Sequence, residues 1–265
     1  MRYFRIFLLH LQNAFELRSL SVVWLLITFL NVWLYLLFWQ GSIQSEGISP
    51  GGMTLADIST YYLLLMITGS FIASHVDEDI AYRDIKQGLL VAHLMRPFSY
   101  FKTKFLEEIP WRIIQGTFGI VVFVASMLFF HINVRLVSDW QGIVTAATIV
   151  ILAYGISFLW SMILGLSALW ITEYSGLQQL STVVSIVLAG YLVPVNFLPD
   201  GMRLVADVLP FSYMAYYPIR AAQGALTLHE SLRVMGVQTA WFVFFVFCLF
   251  HIWKNGIKRF TGVGQ

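Results

Sequence analysis

Two adjacent carboxylates, Glu107 and Glu108, precede Arg112 by a turn of helix, and two histidines recur in the spacings Phe71-x-x-x-His75 and His251-x-x-x-Asn255. Paired glutamates beside an imidazole could activate a water molecule, one group taking its proton while another holds it in place. The arrangement argues against that chemistry. Phe71-x-x-x-His75 stands before the acid pair instead of after it, Pro110 interrupts the acid motif, and all three patterns fall on connections between apolar segments. There is no His-Glu-x-x-His, no Gly-x-Ser-x-Gly and no Cys/His pair at ligand spacing. The expectation is a chain with no catalytic and no metal-binding residue, one that is not an enzyme.

The charged residues concentrate instead between Val76 and Trp111. Six of the sixteen lysines and arginines lie there or one residue beyond (Arg83, Lys86, Arg96, Lys102, Lys104, Arg112), with Asp77, Glu78, Asp79, Asp84, Glu107 and Glu108. Carboxylates at 77–79 suit the first turn of a helix, where unpaired N–H groups and the positive end of the dipole attract them. Gly88 is placed to end that helix in a left-handed conformation, Leu89 to Leu94 supplies a second piece, and Arg96-Pro97 stops it. Ile80, Ile85, Leu89, Leu90 and Leu94 form the apolar side of this broken amphipathic pair. A plain solvated linker would not need them.

The elements that must hold this segment are apolar. Of 265 residues, 58% are hydrophobic and 11% charged, and the mean hydropathy is +0.76, against about 25% charged residues in a soluble domain. The composition is that of an all-α integral membrane protein. A net charge of +2 divided between both signs excludes nucleic acid as a partner class. The one cysteine, Cys248, rules out an internal disulfide and a thiolate cluster, and lies in an apolar run.

Six segments reach the about 20 residues a crossing needs: Ser21 to Trp39, Ile58 to His75, Ile113 to Phe130, Gly142 to Ile171, Gly176 to Val195 and Val234 to Trp253. The first is full-length and lacks a small-residue cleavage site, so it is expected to stay attached. Ahead of it, Arg2, Arg5, Gln12, Asn13 and Glu16 share one side of a helical wheel, which predicts an interfacial helix. With the N-terminus inside, twelve basic residues fall in the inner connections and four (Arg135, Arg203, Arg220, Arg233) in the outer ones. That bias places both termini in the cytoplasm. The connection 196–233 is then external, yet it carries Pro199, Pro210, Pro218 and many aromatic residues, which predicts short re-entrant helices closed by Gly224. No internal repeat divides the chain, so 1–265 reads as one transmembrane domain.

The order of surface helix, six spans, the charged loop EDIAYRDIKQGLLVAHLMRP and the external stretch GYLVPVNFLPDGMRLVADVLPFSYMAYYPIRAAQG resembles the type-2 ABC (ABC-2 type) transporter permeases, in the daunorubicin and multidrug exporter-like branch. The residues that carry the resemblance are Asp79-Ile80, Gly88, Leu94, Arg96 and Pro97, with Gly190, Pro194, Pro199, Pro210, Phe211, Pro218 and Gly224. It implies an exporter permease of a bacterial inner membrane, moving an amphipathic or hydrophobic drug, lipid or peptide. The loop after the second span would be the coupling helix, with Asp79, Ile80, Arg83, Asp84, Ile85, Gly88, Leu89, Leu90, Leu94, Arg96 and Pro97 meeting a separate cytoplasmic ABC ATPase, present in two copies. A second permease subunit would complete a homo- or heterodimer. ATP and Mg would be bound by the ATPase, since the chain has no Gly-x-x-x-x-Gly-Lys-Ser/Thr and no cofactor of its own is expected.

Three further groups follow. Thr28, Asn31 and Tyr35 on the first span and Gln178, Thr182 and Ser185 on the fifth recur at helical spacing, and either line a substrate pathway or pack helices. Ser157, Ser161, Gly165 and Ala168 on the fourth favour packing. Pro194, Pro199, Leu204, Pro210, Phe211 and Tyr213 are candidates for an external gate. Glu173 is either a solvated interface residue or a partner of the coupling segment. The alternatives are a secondary transporter or channel, which would show inverted repeats and mid-membrane charges, and an intramembrane CAAX-type protease, which the acid and histidine patterns resemble in part.

Overall fold

The computed structural model describes residues 7–12, 18–43, 52–130 and 134–260, without the side chains of 18–22, 24, 25, 28, 43 and 130. Among the described residues every regular element is helical. They are α1 (7–12), α2 (Arg18–Ile43), α3 (Leu55–Ile72), α4 (Val76–Glu78) continued by a π-helical turn (Asp79–Lys86), α5 (Leu90–Leu94), α6 (Tyr100–Phe130), α7 (Trp140–Leu166), α8 (Tyr174–Leu188), α9 (Asp200–Val208), α10 (Phe211–Met214), α11 (Tyr216–Ala222) and α12 (Leu228–Gly256). Arg2, Arg5, Asn13 and Glu16 of the expected surface helix lie outside the described residues, as does the side chain of Thr28.

Among the described residues four helical stretches are long and apolar enough to cross a membrane: Leu55–Lys86, Tyr100–Phe129, Trp140–Leu169 and Leu228–Gly256. α2 has 26 residues, about 39 Å at 1.5 Å per residue. α8 has 15, about 22 Å, less than the about 30 Å of a hydrocarbon core. It ends short of the expected Val195 because Gly190 takes a φ of +86° and turns the chain. α6 differs in the other direction. It begins at Tyr100, well before Ile113, and carries Pro110 inside it.

Among the described residues three helices start on side-chain caps. Thr54 accepts from Asp57 N–H at 3.2 Å while Asp57 accepts from Thr54 N–H at 3.1 Å; Thr227 and Glu230 repeat the arrangement at α12. Asp139 accepts from Gly142 N–H at 2.7 Å and starts α7. Each cap satisfies N–H groups that the first turn leaves unpaired. α7 is the central helix: it lies along α12 and touches α3, α4, the π turn, α10 and α11.

The core has two main parts. One, at the end of the bundle that holds α9 to α11, gathers Ile58, Tyr61, Tyr62, Val195, Phe211, Tyr216 and Ile219. The other gathers Val76, Ile80, Leu90, Tyr100, Ile156, Met162 and Leu166, and so seats the charged segment on α7. Gly165 permits that seating, since a Cβ there would fall 2.8 Å from Ile80 Cβ and 2.9 Å from Asp77 Cα.

Candidate functional site

The charged segment is a helix with two of its four acids, Asp77 and Asp84, turned inward, and Glu78 and Asp79 outside. Val76, Asp77, Ile80, Ala81, Asp84 and Ile85 are buried, which is one stripe at helical spacing. The turn widens to π geometry, with Gln87 N–H donating to the Tyr82 carbonyl at 3.0 Å, five residues back. Gly88 then takes a φ of +77°, and Leu89 N–H closes the turn on the Arg83 carbonyl at 3.3 Å. The expected stop at Gly88 and second helix up to Leu94 are both present.

Among the described residues no cation pairs with Asp77. Its carboxylate is held by two hydroxyls, Ser161 of α7 at 2.6 Å and Tyr174 at the start of α8, and its N–H donates to Ser161 Oγ at 3.1 Å. Next to it, Gln178 Nε2 donates to Glu78 at 2.6 Å. One turn of the segment is thus tied to two further helices.

Asp84 is tied to a third. Lys104 Nζ on α6 lies 2.8 Å from Asp84 Oδ2, with both side chains 4% exposed, and Tyr100 Oη donates to the same oxygen at 2.6 Å. His93 Nε2 is 3.8 Å from Asp84 Oδ1. Burial lowers the His93 pKa below its ordinary value, with Asp84 pulling the other way. Lys104 also meets Glu107 at 3.4 Å, and Glu107 meets His10 of α1 at 3.3 Å. A buried ion pair of this kind is costly to break on one side, because the surviving charge has no water.

The acid pair is engaged by cations throughout. Glu108 pairs with Arg112 at 3.0 Å and accepts from His75 N–H at 3.4 Å, while His251 sits with Asn255 at 3.0 Å on an exposed face of α12. Among the described residues no group of three or more His, Cys, Asp or Glu could hold a metal ion.

What the buried stripe leaves outside is a compact apolar and basic surface: Tyr82, Leu89, Val91, Leu94, Met95, Arg96 and Pro97 are exposed, Met95 at 81%. Asp79 and Arg83 lie beside it, paired with each other at 3.3 Å. A family model described as ABC-2 family transporter protein matches residues 21–264. The chain belongs to the ABC-2 family. It is therefore a multi-pass membrane permease of an ABC transporter, and the family implies a bilayer and an ABC ATPase partner. No curated protein and no solved structure matches it.

Within this ABC-2 chain the remaining expected residues separate into different surroundings. Tyr35 stacks on Tyr62 of α3 with centroids 4.6 Å apart, and Asn31 is exposed. Thr182 donates to the Gln178 carbonyl of its own helix at 2.9 Å and Ser185 is half-buried. Gln178 faces Glu78, not the α2 stripe. Ser157 and Ser161 meet the backbone of Ser74 and Asp77 at 3.2 and 3.1 Å, so the small-residue face of α7 is a packing surface for the charged segment. Glu173 is exposed and its side chain caps nothing; the neighbouring Tyr174 makes the contact instead.

At the opposite end, Pro194, Pro210, Phe211 and Tyr213 are buried while Leu204 is 67% exposed and Pro199 precedes α9. Tyr61 Oη donates to the Gly190 carbonyl and Tyr62 Oη to that of Leu192, both at 2.8 Å. Gln238, fully buried on α12, donates to the carbonyls of Ile149 and Tyr213 at 3.1 and 3.0 Å. Sequence reasoning missed Gln238, Tyr174 and Tyr100, and counted Lys104 among the segment's charges without its partner Asp84. A glutamine inside an apolar run was a usable signal for the first, since such a group must find partners in the bundle. No comparable signal marked Tyr174.

Proposed function

We propose that this chain is the membrane subunit of an ATP-driven exporter, and that the segment Val76–Pro97 is its coupling element, seated in the ATPase. The observation that carries the reading is the division of that segment: buried acids fasten it to α6, α7 and α8, and the exposed Leu89, Val91, Leu94, Met95 and Arg96 are left for a partner. In this reading α2 and α8, the latter extended by the apolar chain to Val195, complete six crossings with the four long helices. Both termini lie in the cytoplasm, as the twelve-to-four division of basic residues requires.

ATP and Mg, held by two ATPase copies, would drive closure, and the fastened segment would pass the displacement on as rigid-body tilting. Because Asp77 is bonded to α7 and α8, that displacement reaches the fourth and fifth spans as well as the second and third. A dimer of such permeases would form the path, with Thr28, Asn31, Tyr35, Gln178, Thr182 and Ser185 as its candidate lining and α9 to α11 as the outer gate. Drugs, lipids and peptides of amphipathic character fit an apolar route with scattered hydroxyls. Assignment to the multidrug branch and to a bacterial inner membrane rests on the resemblance in sequence.

The test is affinity purification in mild detergent, native chain against Leu94→Asp/Met95→Asp. The native chain should retain an ABC ATPase and the double variant should lose it while staying folded. Equal retention would contradict the assignment.

A further inference from the structure

α6, α7 and α12 enclose a groove of about 370 Å³ beside the charged segment. Its walls are carbon: Phe101, Phe105, Phe158, Leu159 and Phe242, with the stem of Lys102 as the one basic contribution. The lining residues Phe105 and Phe242 are themselves exposed, as are Ile151, one turn from Gly155 on α7, and Phe250, which meets Phe101, so the groove opens toward the surroundings of the bundle and not toward its core. In a membrane protein that direction is hydrocarbon.

The groove also has a depth and a polarity. Phe101 meets Phe250 ring to ring at 6.0 Å and Trp253 at 5.0 Å, which fixes the shallow end at the start of α6. Phe242 lies two helical turns deeper along α12, about 12 Å, a distance that fits within a leaflet of about 15 Å. Lys102 is exposed at the shallow end, while its neighbour Lys104 is buried on Asp84 and cannot serve. The groove therefore offers carbon along its length and an ammonium at its mouth.

We infer that this groove binds one glycerophospholipid with an anionic headgroup, an acyl chain lying along Phe105, Phe158 and Phe242 and its phosphate at Lys102. The orientation rests on the proposed cytoplasmic side for the charged segment, where anionic lipid is enriched and a lysine near the surface attracts it. Through Phe101 and Tyr100 the lipid touches the helix that holds Asp84, so its occupancy would brace the coupling element.

The experiment is native mass spectrometry of the full-length chain in mild detergent with phosphatidylglycerol or phosphatidylcholine of matched chains. The native protein should retain one phosphatidylglycerol about fivefold better than phosphatidylcholine, the factor one lysine supplies. Lys102→Gln, at an exposed position, should erase that preference and Lys102→Arg should restore it. Leu106→Trp, which fills the groove, should expel both lipids. Equal retention of the two lipids by the native protein would overturn the inference. So would a preference that survives Lys102→Gln and disappears only when Lys254, Lys258 and Arg259 are neutralised together. None of these readouts involves ATPase or transport, so the coupling reading stands or falls separately.

Discussion

The Tyr174 hydroxyl at the start of α8 donates to the Asp77 carboxylate of the charged segment, across 97 residues of chain. Among the described residues Asp77 has no ionic partner, and its carboxylate has only Ser161 besides. A hydrogen bond to a charged group contributes about 1.5–3 kcal/mol. Tyr174→Phe should cost about that much in stability, leave the ATPase bound, and lower substrate-stimulated ATP hydrolysis by about tenfold if α8 receives the displacement. Unchanged stimulation with the stability loss present would confine the bond to a packing role.

The Lys104–Asp84 pair sets a larger stake. Lys104→Met strands Asp84 with Tyr100 and a half-buried His93, and removal of one member of a buried pair costs about 3–5 kcal/mol. Denaturation in detergent should register the loss. Lys104→Met/Asp84→Leu, which removes both charges, should recover most of it; a double variant no better than the single one would contradict the pairing.

His93 makes the segment sensitive to acid. Its folded pKa lies below the ordinary value of about 6.5, because burial disfavours the imidazolium, and Lys104 and Arg96 reinforce that against Asp84 and Glu107. At pH above the unfolded value both states are neutral and stability is complete. As pH falls below about 6.5 the unfolded chain takes up the proton first, so stability declines toward the lower folded pKa. Amide protection factors of residues 80–92, which divide out the slowing of intrinsic exchange in acid, should fall between about pH 7.5 and about 5.5, and His93→Gln should flatten the trend.

Gly190 fixes the turn after α8. Its φ of +86° and a Cβ that would fall 2.5 Å from Tyr61 Oη make Gly190→Ala both strained and obstructed. The strain alone costs about 1–2 kcal/mol, and the bond to the Gly190 carbonyl should be lost with it. Gly69→Ala is the control, because nothing lies within 4 Å of its added Cβ; it should melt no lower than the native protein.

How much of this was legible depended on whether a residue's neighbours lie close in sequence. Gly88, Pro97 and the second helix to Leu94 were readable because turn and cap chemistry is local. The inward side of the segment was not. Ile80, Ile85, Leu89, Leu90 and Leu94 read as one apolar face, yet Leu89 and Leu94 point out while Asp77 and Asp84 point in. Acids reverse their place when a lysine and three hydroxyls from other helices reach them, and those partners lie on α6, α7 and α8. The same reason hid the start of α6. Lys104, Glu107, Glu108 and Arg112 look like a solvated loop, and become a helix because they pair with one another and with Asp84.

The central claim is that the exposed tip of this segment touches the ATPase. A photo-crosslinking residue at Met95, 81% exposed, reports on it directly, with Leu204, 67% exposed at the other end of the bundle, as reference. Illumination of the membrane-embedded complex should join the ATPase to position 95 and not to position 204. Absence of the adduct at 95, or labelling of a cysteine there by an impermeant reagent from outside the cell, would contradict the account.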